Sequence, residues 1–404
     1  MMTTIDKVPA VILPSSRLEG VRYAIRDLSV LADQVVAQGK KVLRLNIGDP
    51  ARFDFPTPPH MIAAVEKAMR GGRNGYAQSS GLPEALEAIR NEAERNGINN
   101  VMNVFVTSGV SEAVDICFTV LLDVGQNVLC PLPEYPLYTA VVAKAGLTTN
   151  SYRLDESQGW APDLDDIRRK VNAGTRGMVL INPNNPTGVV YSRRTLEGIA
   201  EVAREHNLVV FADESYSKLV LDGEHIPFAS LAPDVAVITL GGLSKNYMAP
   251  GWRIGWGVAS GPDAMLRPYL EGVNKLLRAR LCANHPMMFA IKPALEGPQD
   301  HLADACAKLR RRRDLTTQWA SSTPRVSLVR PDGGFYAFPR LDIPDNDEDF
   351  VKQLLQEKGV LVVHGSGFGE DPGTRHFRIV YLPDEPTLTI AYAAISEFLR
   401  EKYN

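Results

Sequence analysis

The sequence has few cysteines, no long apolar run and almost no net charge. Its four cysteines lie far apart and none belongs to a CxxC pair, which argues against a disulfide scaffold or a zinc site and fits a reducing compartment. No run approaches the roughly 18 apolar residues that span a bilayer, and the N-terminal segment lacks the charged front and cleavage site of a signal peptide. The formal net charge of −3 argues against a nucleic-acid-binding surface. These absences predict a cytoplasmic protein that binds no metal, membrane or nucleic acid.

What is present is the composition of an ordinary globular protein, with 45% hydrophobic residues in a chain of 404. At roughly 150 residues per domain, this length predicts two to three domains. We expect an arm and part of a small domain at 1–50, a large domain at 51–294, and the rest of the small domain at 295–404. In the last segment, the four consecutive arginines at 310–313 favour a solvated helix face.

Five short apolar runs are each followed by Gly, Ser, Pro or Asn and then by a helical pattern: 104–107, 127–130, 178–181, 208–211 and 235–240. Continuous apolar runs of this length favour strands that are buried on both faces. Stretches between them, such as 193–206, favour crossover helices. The alternation predicts an open α/β sheet, in which ligands bind beyond the carboxyl ends of the strands. The residues just after each run are therefore the candidates for chemistry.

The segment after the last run carries a lysine and an arginine among glycines. Lys245 follows Leu-Gly-Gly-Leu-Ser, and Arg253 lies eight residues further on in Gly-Trp-Arg-Ile-Gly. A lone lysine after a strand usually has no catalytic role, so the residues around Lys245 must show whether it has one. Glycines let the backbone approach a ligand closely, and an arginine fork binds phosphate bidentately. Ser244, Lys245 and Arg253 together predict a site for a phosphate and for an imine-forming carbonyl.

The other strand ends carry an acid, an amide, two tyrosines and the start of a helix: Asp213 and Tyr216, Asn185, Tyr135, and Val110 with Ser111. Each has an ordinary structural alternative. Asp213 is as well suited to cap the next helix, Asn185 lies in a sequence typical of a turn, and tyrosines such as Tyr135 commonly pack in a core. The free N–H groups at the start of a helix can hold a phosphate. Each residue alone is a weak signal, and only their combination is specific for a ligand site.

In order and spacing, the chain resembles the pyridoxal-phosphate-dependent class I aminotransferases of the aspartate-aminotransferase fold. Within them it is most similar to bacterial and archaeal alanine (glutamate–pyruvate) aminotransferases. The matching segments are YAIRD, LNIGDP, GLPE, GVSEA, PEYPLY, INPNNPTGVVYS, ADESY, GLSK, GWRIGW, RLCAN, GGFYAFP, VHGSGFG and HFRIVYLP. The chain departs from the family in having Ser215 where an apolar residue is usual, and Met248 and Pro250 in the lysine loop. The resemblance implies the fold type I architecture, an α/β protein with a mostly parallel seven-stranded sheet between helices and a smaller α+β domain.

The resemblance also implies a role for each candidate residue. Lys245 would form the Schiff base with pyridoxal 5'-phosphate, and Asp213 would pair with its pyridine nitrogen. The remaining cofactor contacts would come from Asn185 and Tyr216 at the phenolic oxygen, Tyr135 on the ring, and Val110, Ser111, Ser244, Arg253 and the neighbouring subunit's Tyr76 at the phosphate. Arg378 would bind the substrate α-carboxylate, and the backbone at Gly48 would border the substrate. The contribution of Tyr76 implies a homodimer with shared active sites.

The activity implied is ping-pong transamination between L-alanine and 2-oxoglutarate, giving pyruvate and L-glutamate. Arg26 is our hypothesis for the donor to the second carboxylate of glutamate, with a salt bridge to Asp27 or a surface position equally open. An aspartate, aromatic or broad-specificity aminotransferase, or a lyase or oxidase of the same fold, also remains open. A cofactor-binding regulator is disfavoured because such proteins carry an added DNA-binding domain before the arm. A scaffold without activity is disfavoured because Lys245, Asp213 and Arg378 are all present.

Overall fold

The computed structural model describes residues 11–21, 24–369 and 373–403, without the side chain of Arg26. The helices of these ranges are α1 (Ala24–Ala37), α2 (Pro59–Arg70), α3 (Pro83–Arg95), α4 (Val110–Leu121), α5 (Leu137–Lys144), α6 (Leu164–Lys170), α7 (Arg193–His206), α8 (Phe228–Leu231), α9 (Asp263–Ala279), α10 (His285–Met288), α11 (Ile291–Glu296), α12 (Asp300–Ser322), α13 (Asp347–Lys358) and α14 (Glu385–Tyr403). Short 3-10 helices lie at Ser16–Gly20, Pro50–Arg52, Glu156–Gln158, Pro250–Trp252 and Gly365–Phe368. None of these helices is long and apolar enough to cross a membrane.

The strands of the same ranges are β1 (Leu43–Arg44), β2 (Val101–Thr107), β3 (Asn127–Leu132), β4 (Asn150–Asp155), β5 (Ala161–Pro162), β6 (Thr175–Ile181), β7 (Val209–Asp213), β8 (Val237–Gly242), β9 (Gly255–Ser260), β10 (Val326–Ser327), β11 (Tyr336–Ala337), β12 (Arg340–Leu341), β13 (Val360–Leu361), β14 (Val363–His364) and β15 (Phe377–Val380). Eight of them form the main sheet, in the order β2-β9-β8-β7-β6-β3-β4-β5. The neighbours from β8 to β4 pair in parallel, β9 runs antiparallel to both β2 and β8, and β5 runs antiparallel to β4.

The expected mostly parallel α/β sheet is confirmed, and all five apolar runs lie largely in strands, namely β2, β3, β6, β7 and β8. The resemblance implied seven strands, and the eighth is the two-residue edge strand β5. Alternate side chains of a strand enter two separate hydrophobic clusters. In β6, Met178 and Leu180 belong to one cluster, whereas Val179 and Ile181 belong to the other. Since successive side chains of a strand point to opposite faces, helices must cover both faces of the sheet.

Helix α7 shows how local sequence sets an element between two strands. The side chain of Ser192 accepts a hydrogen bond from the N–H of Thr195 at 3.2 Å, which caps the N-terminus. Asn207 ends the helix in the left-handed conformation, with φ of 51°. Leu196 and Ile199 are among its buried residues. The bounds of α7 coincide with the helix predicted at 193–206.

The two ends of the chain meet beside the main sheet. Strand β1, which spans only Leu43–Arg44, pairs in parallel with β13. The backbone of Leu45 still bonds on both sides, donating to Leu361 O at 2.8 Å and accepting from Val380 N at 2.9 Å. The small three-stranded sheet β11-β15-β14 lies next to this junction. The boundaries at 50/51 and 294/295 stay a prediction.

The arginine run of α12 is solvated only in part: Arg310 and Arg311 are exposed as expected, whereas for Arg312 and Arg313 the expectation was wrong. Arg312 and Arg313 are buried, and their charges are paired with acids from distant segments. Arg312 binds both carboxylate oxygens of Asp54 at 2.8 and 2.9 Å, and Arg313 pairs with Asp222. Buried charges of this kind need such partners. The pairs hold α12 against the segments that carry Asp54 and Asp222.

Candidate active site

A cavity of about 510 Å³ lies beyond the carboxyl ends of the central strands. The chain arm, the loops after β6, β7 and β8, the start of α4 and strand β15 all contribute to its wall. The sequence-predicted residues that line it are Gly48, Val110, Ser111, Tyr135, Asn185, Asp213, Tyr216, Ser244, Lys245, Arg253 and Arg378. The residues after β6, β7 and β8 meet here because parallel strands end at one edge of a sheet. Gly48 and Arg378, more than 300 residues apart, are brought in by the pairing of the chain arm with β15.

Lys245 follows β8 and reaches toward the chain arm. Its Nζ donates a hydrogen bond to the backbone oxygen of Gly48 at 2.7 Å. Burial lowers the pKa of Lys245 to about 8, with the Asp49 carboxylate opposing the shift and the charges of Arg378 and Arg253 adding to it. At neutral pH an appreciable fraction of this amine is therefore unprotonated. Such an amine is suited to attack a carbonyl and to accept a proton.

Asp213 ends β7 and is held by three donors. Tyr138 donates from its hydroxyl to Oδ2 at 2.7 Å, and Ser215 donates to Oδ1 from its N–H at 3.1 Å and its Oγ at 2.6 Å. Burial and the neighbouring carboxylate raise the pKa of Tyr138, which keeps that hydroxyl a donor. No described helix begins after Asp213 before α8, so the helix-cap alternative fails. Ser215, at which the chain departs from the family pattern, thus fixes the carboxylate.

Arg378 in β15 is buried between two rings. Its guanidinium carbon lies 4.6 Å from the ring centroid of Tyr336 and 4.9 Å from that of Phe368. Nη1 donates to Oδ1 of Asn185 at 3.0 Å, and Nη2 donates to the backbone oxygen of Asn46 at 2.6 Å. Within the described ranges, its Nε has no hydrogen-bond partner. A buried donor without an acceptor is costly, so this geometry favours an anionic ligand at Arg378.

Two tyrosines meet at the same end of the cavity. The hydroxyl oxygens of Tyr216 and Tyr336 lie 2.8 Å apart, and burial, together with this neighbour, raises the pKa of Tyr216. Gly48 borders the pair closely, because a Cβ at this position would overlap the hydroxyl of Tyr336. Sequence reasoning missed Tyr336, although it lies in the segment GGFYAFP. Tyr336 reaches the cavity because β11 pairs with β15, and this pairing cannot be predicted from local spacing.

Another part of the cavity wall is an anion cradle. Helix α4 begins at Val110 after Gly109, which has φ of 81°. The N–H groups of a first helical turn have no partner inside the helix. Arg253 brings its guanidinium so close that a Cβ on Gly109 would overlap it, and its Nη1 donates to the backbone oxygen of Pro250 at 3.0 Å. Together with Ser244, these groups suit a phosphate.

Two predicted site residues are not seen in this cavity. The side chain of Tyr76 is 83% exposed and does not line it, and its contribution to a neighbouring subunit stays a prediction. The side chain of Arg26 lies outside the described residues, although its neighbour Ile25 does line the cavity. Conversely, sequence reasoning did not single out Asp49 and Arg52, which also line it. Their only sequence signal is their place directly after Gly48.

A desolvated lysine, a firmly held carboxylate, an anion cradle and a buried guanidinium thus share one cavity. A buried carboxylate suits a protonated ring nitrogen, and the cradle suits a phosphate. This donor set fits pyridoxal phosphate, and with the fold it defines the class of pyridoxal-phosphate-dependent transferases.

The comparison with known proteins narrows the class. The model of the family "Aminotransferase class I and II" matches residues 40–395, and the chain belongs to this family. Glutamate-pyruvate aminotransferase AlaA of Haemophilus influenzae is 40% identical over 398 residues, which is 96% of this chain and 98% of the relative. Alanine aminotransferase of Mycobacterium tuberculosis is 39% identical over 396 residues, 95% of this chain and 92% of the relative.

A solved structure gives the same result. Alanine aminotransferase from Pyrococcus furiosus superposes with a TM-score of 0.93 at 42% identity, covering 96% of this chain and 100% of that one. The fold type I architecture is therefore confirmed, and the protein is an aminotransferase. Membership of the family implies dependence on pyridoxal phosphate.

Proposed function

We propose that this protein transfers the α-amino group of L-alanine to 2-oxoglutarate by a ping-pong mechanism, giving pyruvate and L-glutamate. The observation that carries the proposal is the pairing, in one cavity, of the buried amine of Lys245 with the buried guanidinium of Arg378. To be transaminated, an amino acid needs a group that transfers its α-proton and a cation that binds its α-carboxylate. The names of the relatives at about 40% identity support alanine as the donor.

Pyridoxal phosphate, when bound, supplies the electron sink for negative charge at the substrate α-carbon. We assign its covalent attachment to Lys245. Asp213, itself held by Tyr138 and Ser215, would keep the ring nitrogen protonated. The other contacts would come from Asn185 and Tyr216 at the ring oxygen, Tyr135 on the ring face, and Val110, Ser111, Ser244 and Arg253 at the phosphate.

The chain's own groups orient the substrate and move its proton. Arg378 binds the α-carboxylate and so fixes the direction of the bond from the α-carbon to hydrogen, a positioning effect. Lys245 then takes the α-proton and returns it at the other end of the reacting system. A pKa of about 8 suits a group that must both accept and release a proton near neutral pH. In the structure, the amine of Lys245 is held by its hydrogen bond to the backbone oxygen of Gly48.

Further parts of the proposal concern assembly and location. A homodimer would let Tyr76, exposed in the single chain, reach the phosphate of the neighbouring subunit. Cysteines that are few and unpaired fit a cytoplasmic enzyme. Arg26 remains a hypothesis for the receptor of a second substrate carboxylate.

Borohydride reduction followed by peptide mass mapping tests the attachment. We expect the added mass on Lys245 and its absence from Lys245→Ala, which should also lose nearly all turnover. The exposed Lys292→Ala serves as the matched control. A mass on another residue, or on none, would contradict the proposal.

A panel of amino donors tests the substrate. Alanine, aspartate, glutamate, valine and phenylalanine are assayed against suitable oxo acids, and we expect alanine and glutamate to react best. Full activity with aspartate and none with alanine would replace alanine by aspartate as the donor.

A further inference from the structure

The cavity contains one cation more than the proposed mechanism uses. Four Lys or Arg side chains are among its described lining residues, and three of these have roles. Lys245 moves the proton, Arg253 belongs to the phosphate cradle, and Arg378 binds the α-carboxylate. The fourth is Arg52, at the end of the short 3-10 helix Pro50–Arg52 that follows Gly48.

Arg52 has one counterion and spare donors. Its Nε lies 3.2 Å from Oδ2 of Asp49, with the arginine side chain 61% exposed. Among the described residues, no acceptor takes a hydrogen bond from its guanidinium, and Asp49 is its only ion-pair partner. A guanidinium has five N–H donors and matches a carboxylate bidentately. Arg52 can therefore receive a carboxylate while it stays beside Asp49.

Asp49 links this arginine to the reacting end of the cavity. Its Oδ1 accepts a hydrogen bond from the N–H of Ala51 at 3.2 Å, which fixes the carboxylate at the start of the 3-10 helix. The same carboxylate acts on the amine of Lys245, whose Nζ bonds to Gly48, the residue before Asp49. Arg52 thus lies on the segment that borders the substrate.

A ping-pong enzyme of the proposed kind needs such an arrangement. One cavity must accept alanine, whose side chain is a methyl group, and glutamate, whose side chain ends in a second carboxylate. With alanine bound, the guanidinium of Arg52 keeps Asp49 and water as its partners, because its side chain is 61% exposed. With glutamate bound, its remaining donors can bind the second carboxylate.

We propose that Arg52 binds the distal carboxylate of the dicarboxylic substrates, glutamate and 2-oxoglutarate. The proposal rests on the proposed function and deepens it. It places this role on the loop after Gly48 and not on Arg26, so the two arginines make opposite predictions.

Half-reactions of the holoenzyme, followed by the change in cofactor absorbance, test the assignment. Arg52→Met keeps the apolar stem and removes the charge. We expect kcat/KM for glutamate and 2-oxoglutarate to fall roughly 10- to 100-fold, the range for hydrogen bonds to a charged group. The values for alanine and pyruvate should stay within about 2-fold, and Arg52→Lys should recover part of the loss because it restores the charge. Arg70→Met, on the exposed surface of α2, is the matched control.

Binding of unreactive acids gives a second readout. Glutarate and pentanoate have the same chain length but two and one carboxylates. Arg52→Met should weaken glutarate binding by the same factor as glutamate turnover and leave pentanoate unchanged.

Three outcomes would overturn the assignment: equal losses for alanine and glutamate, no loss for either, or a selective loss of glutamate in Arg26→Met but not in Arg52→Met. Failure of the proposed function is a separate result. In that case the unmodified protein itself would not exchange amino groups between alanine and 2-oxoglutarate.

Discussion

Nη1 of Arg378 donates a hydrogen bond to Oδ1 of Asn185 at 3.0 Å, and this bond joins strand β15 to the loop after β6. One partner is the proposed receptor of the substrate carboxylate, and the other is a proposed contact of the cofactor. The position of the substrate is thereby tied to that of the cofactor. Small shifts of either side chain should therefore change the reaction more than they change folding.

Arg378→Lys tests this coupling. Lysine keeps the charge but carries only three donors, all on one nitrogen, so it cannot bind a carboxylate bidentately while it bonds to Asn185 and Asn46. We expect kcat/KM to fall on the order of 100-fold for every amino acid, since misplacement of about 1 Å has this effect. The cofactor should stay bound, as seen from its visible absorbance. Arg340→Lys, at an exposed position, is the control. Unchanged kinetics for alanine would contradict the assignment of Arg378.

Tyr336→Phe tests the pair of tyrosine hydroxyls. The variant keeps the ring over Arg378 and removes only the group that lies 2.8 Å from the hydroxyl of Tyr216. We expect a loss of roughly 2- to 10-fold in half-reaction rate, the range for a neutral hydrogen bond. In a Tyr216→Phe background the same change should have little further effect, because the bond is already gone. Additive losses in this double-mutant cycle would show that the two hydroxyls act separately.

The pKa of Lys245 can be measured on the protein without cofactor. Since burial lowers this pKa to about 8, trinitrophenylation of Lys245 should rise with pH and reach half its maximum near pH 8. Asp49 opposes the shift, so Asp49→Asn should move the midpoint to lower pH. Asp33→Asn, at an exposed site paired with Arg44, should leave it in place. A midpoint near 10.5, the ordinary value of a lysine, would contradict the proposed desolvation.

Gly109→Ala tests the anion cradle, with Gly39→Ala as a control for an alanine at positive φ. Gly109 and Gly39 have φ of 81° and 83°, so an alanine is strained at both. Only at Gly109 would the new methyl group overlap Arg253, since nothing lies within 4 Å at Gly39. We expect Gly39→Ala to lose roughly 1 kcal/mol of stability and Gly109→Ala to lose more, because Gly109 also has ψ of 163°. Only Gly109→Ala should weaken cofactor binding, by about 10-fold or more. Equal cofactor affinities, measured by titration of the protein without cofactor, would place the phosphate elsewhere.

Glu214→Gln tests a buried acid next to Asp213. Burial, with the charge of Asp213 adding to it, raises the pKa of Glu214 from 4.5 to about 8, and its Oε1 accepts from Phe228 N at 2.9 Å. Between these two pKa values the unfolded chain releases the proton and the folded chain keeps it, so this group lowers stability as pH rises. The stability of Glu214→Gln relative to the unmodified protein should therefore grow from pH 4.5 to 8 and then level off. Denaturant melts at several pH values measure the difference, with the exposed Glu197→Gln as control. A difference independent of pH would refute the raised pKa.

Local patterns predicted five of the eight strands of the main sheet. They also pointed to the cavity residues that follow these strands, because the carboxyl ends of parallel strands share one edge of the sheet. Three strands of the main sheet escaped prediction: the two-residue strand β5, and β4 and β9. β4 contains polar residues, and β9 begins Gly-Trp-Gly, so neither has a continuous apolar run.

The residues that sequence reasoning missed or misread depend on distant partners. Tyr138 lies on a helix, and only the packing of α5 against the sheet brings its hydroxyl to Asp213. Arg312 looks like a surface residue until Asp54, 258 positions away, is placed beside it. Such pairings are fixed by tertiary packing, which no local period encodes.

The pairing of β1 with β13 also affects the order of events during synthesis. Leu45 is made more than 300 residues before its backbone partners Leu361 and Val380. The proposed carboxylate receptor Arg378 lies between these two partners in the sequence. During translation, the backbone of Leu45 therefore stays unpaired until residues 361–380 have been made, and the proposed receptor is completed together with this junction.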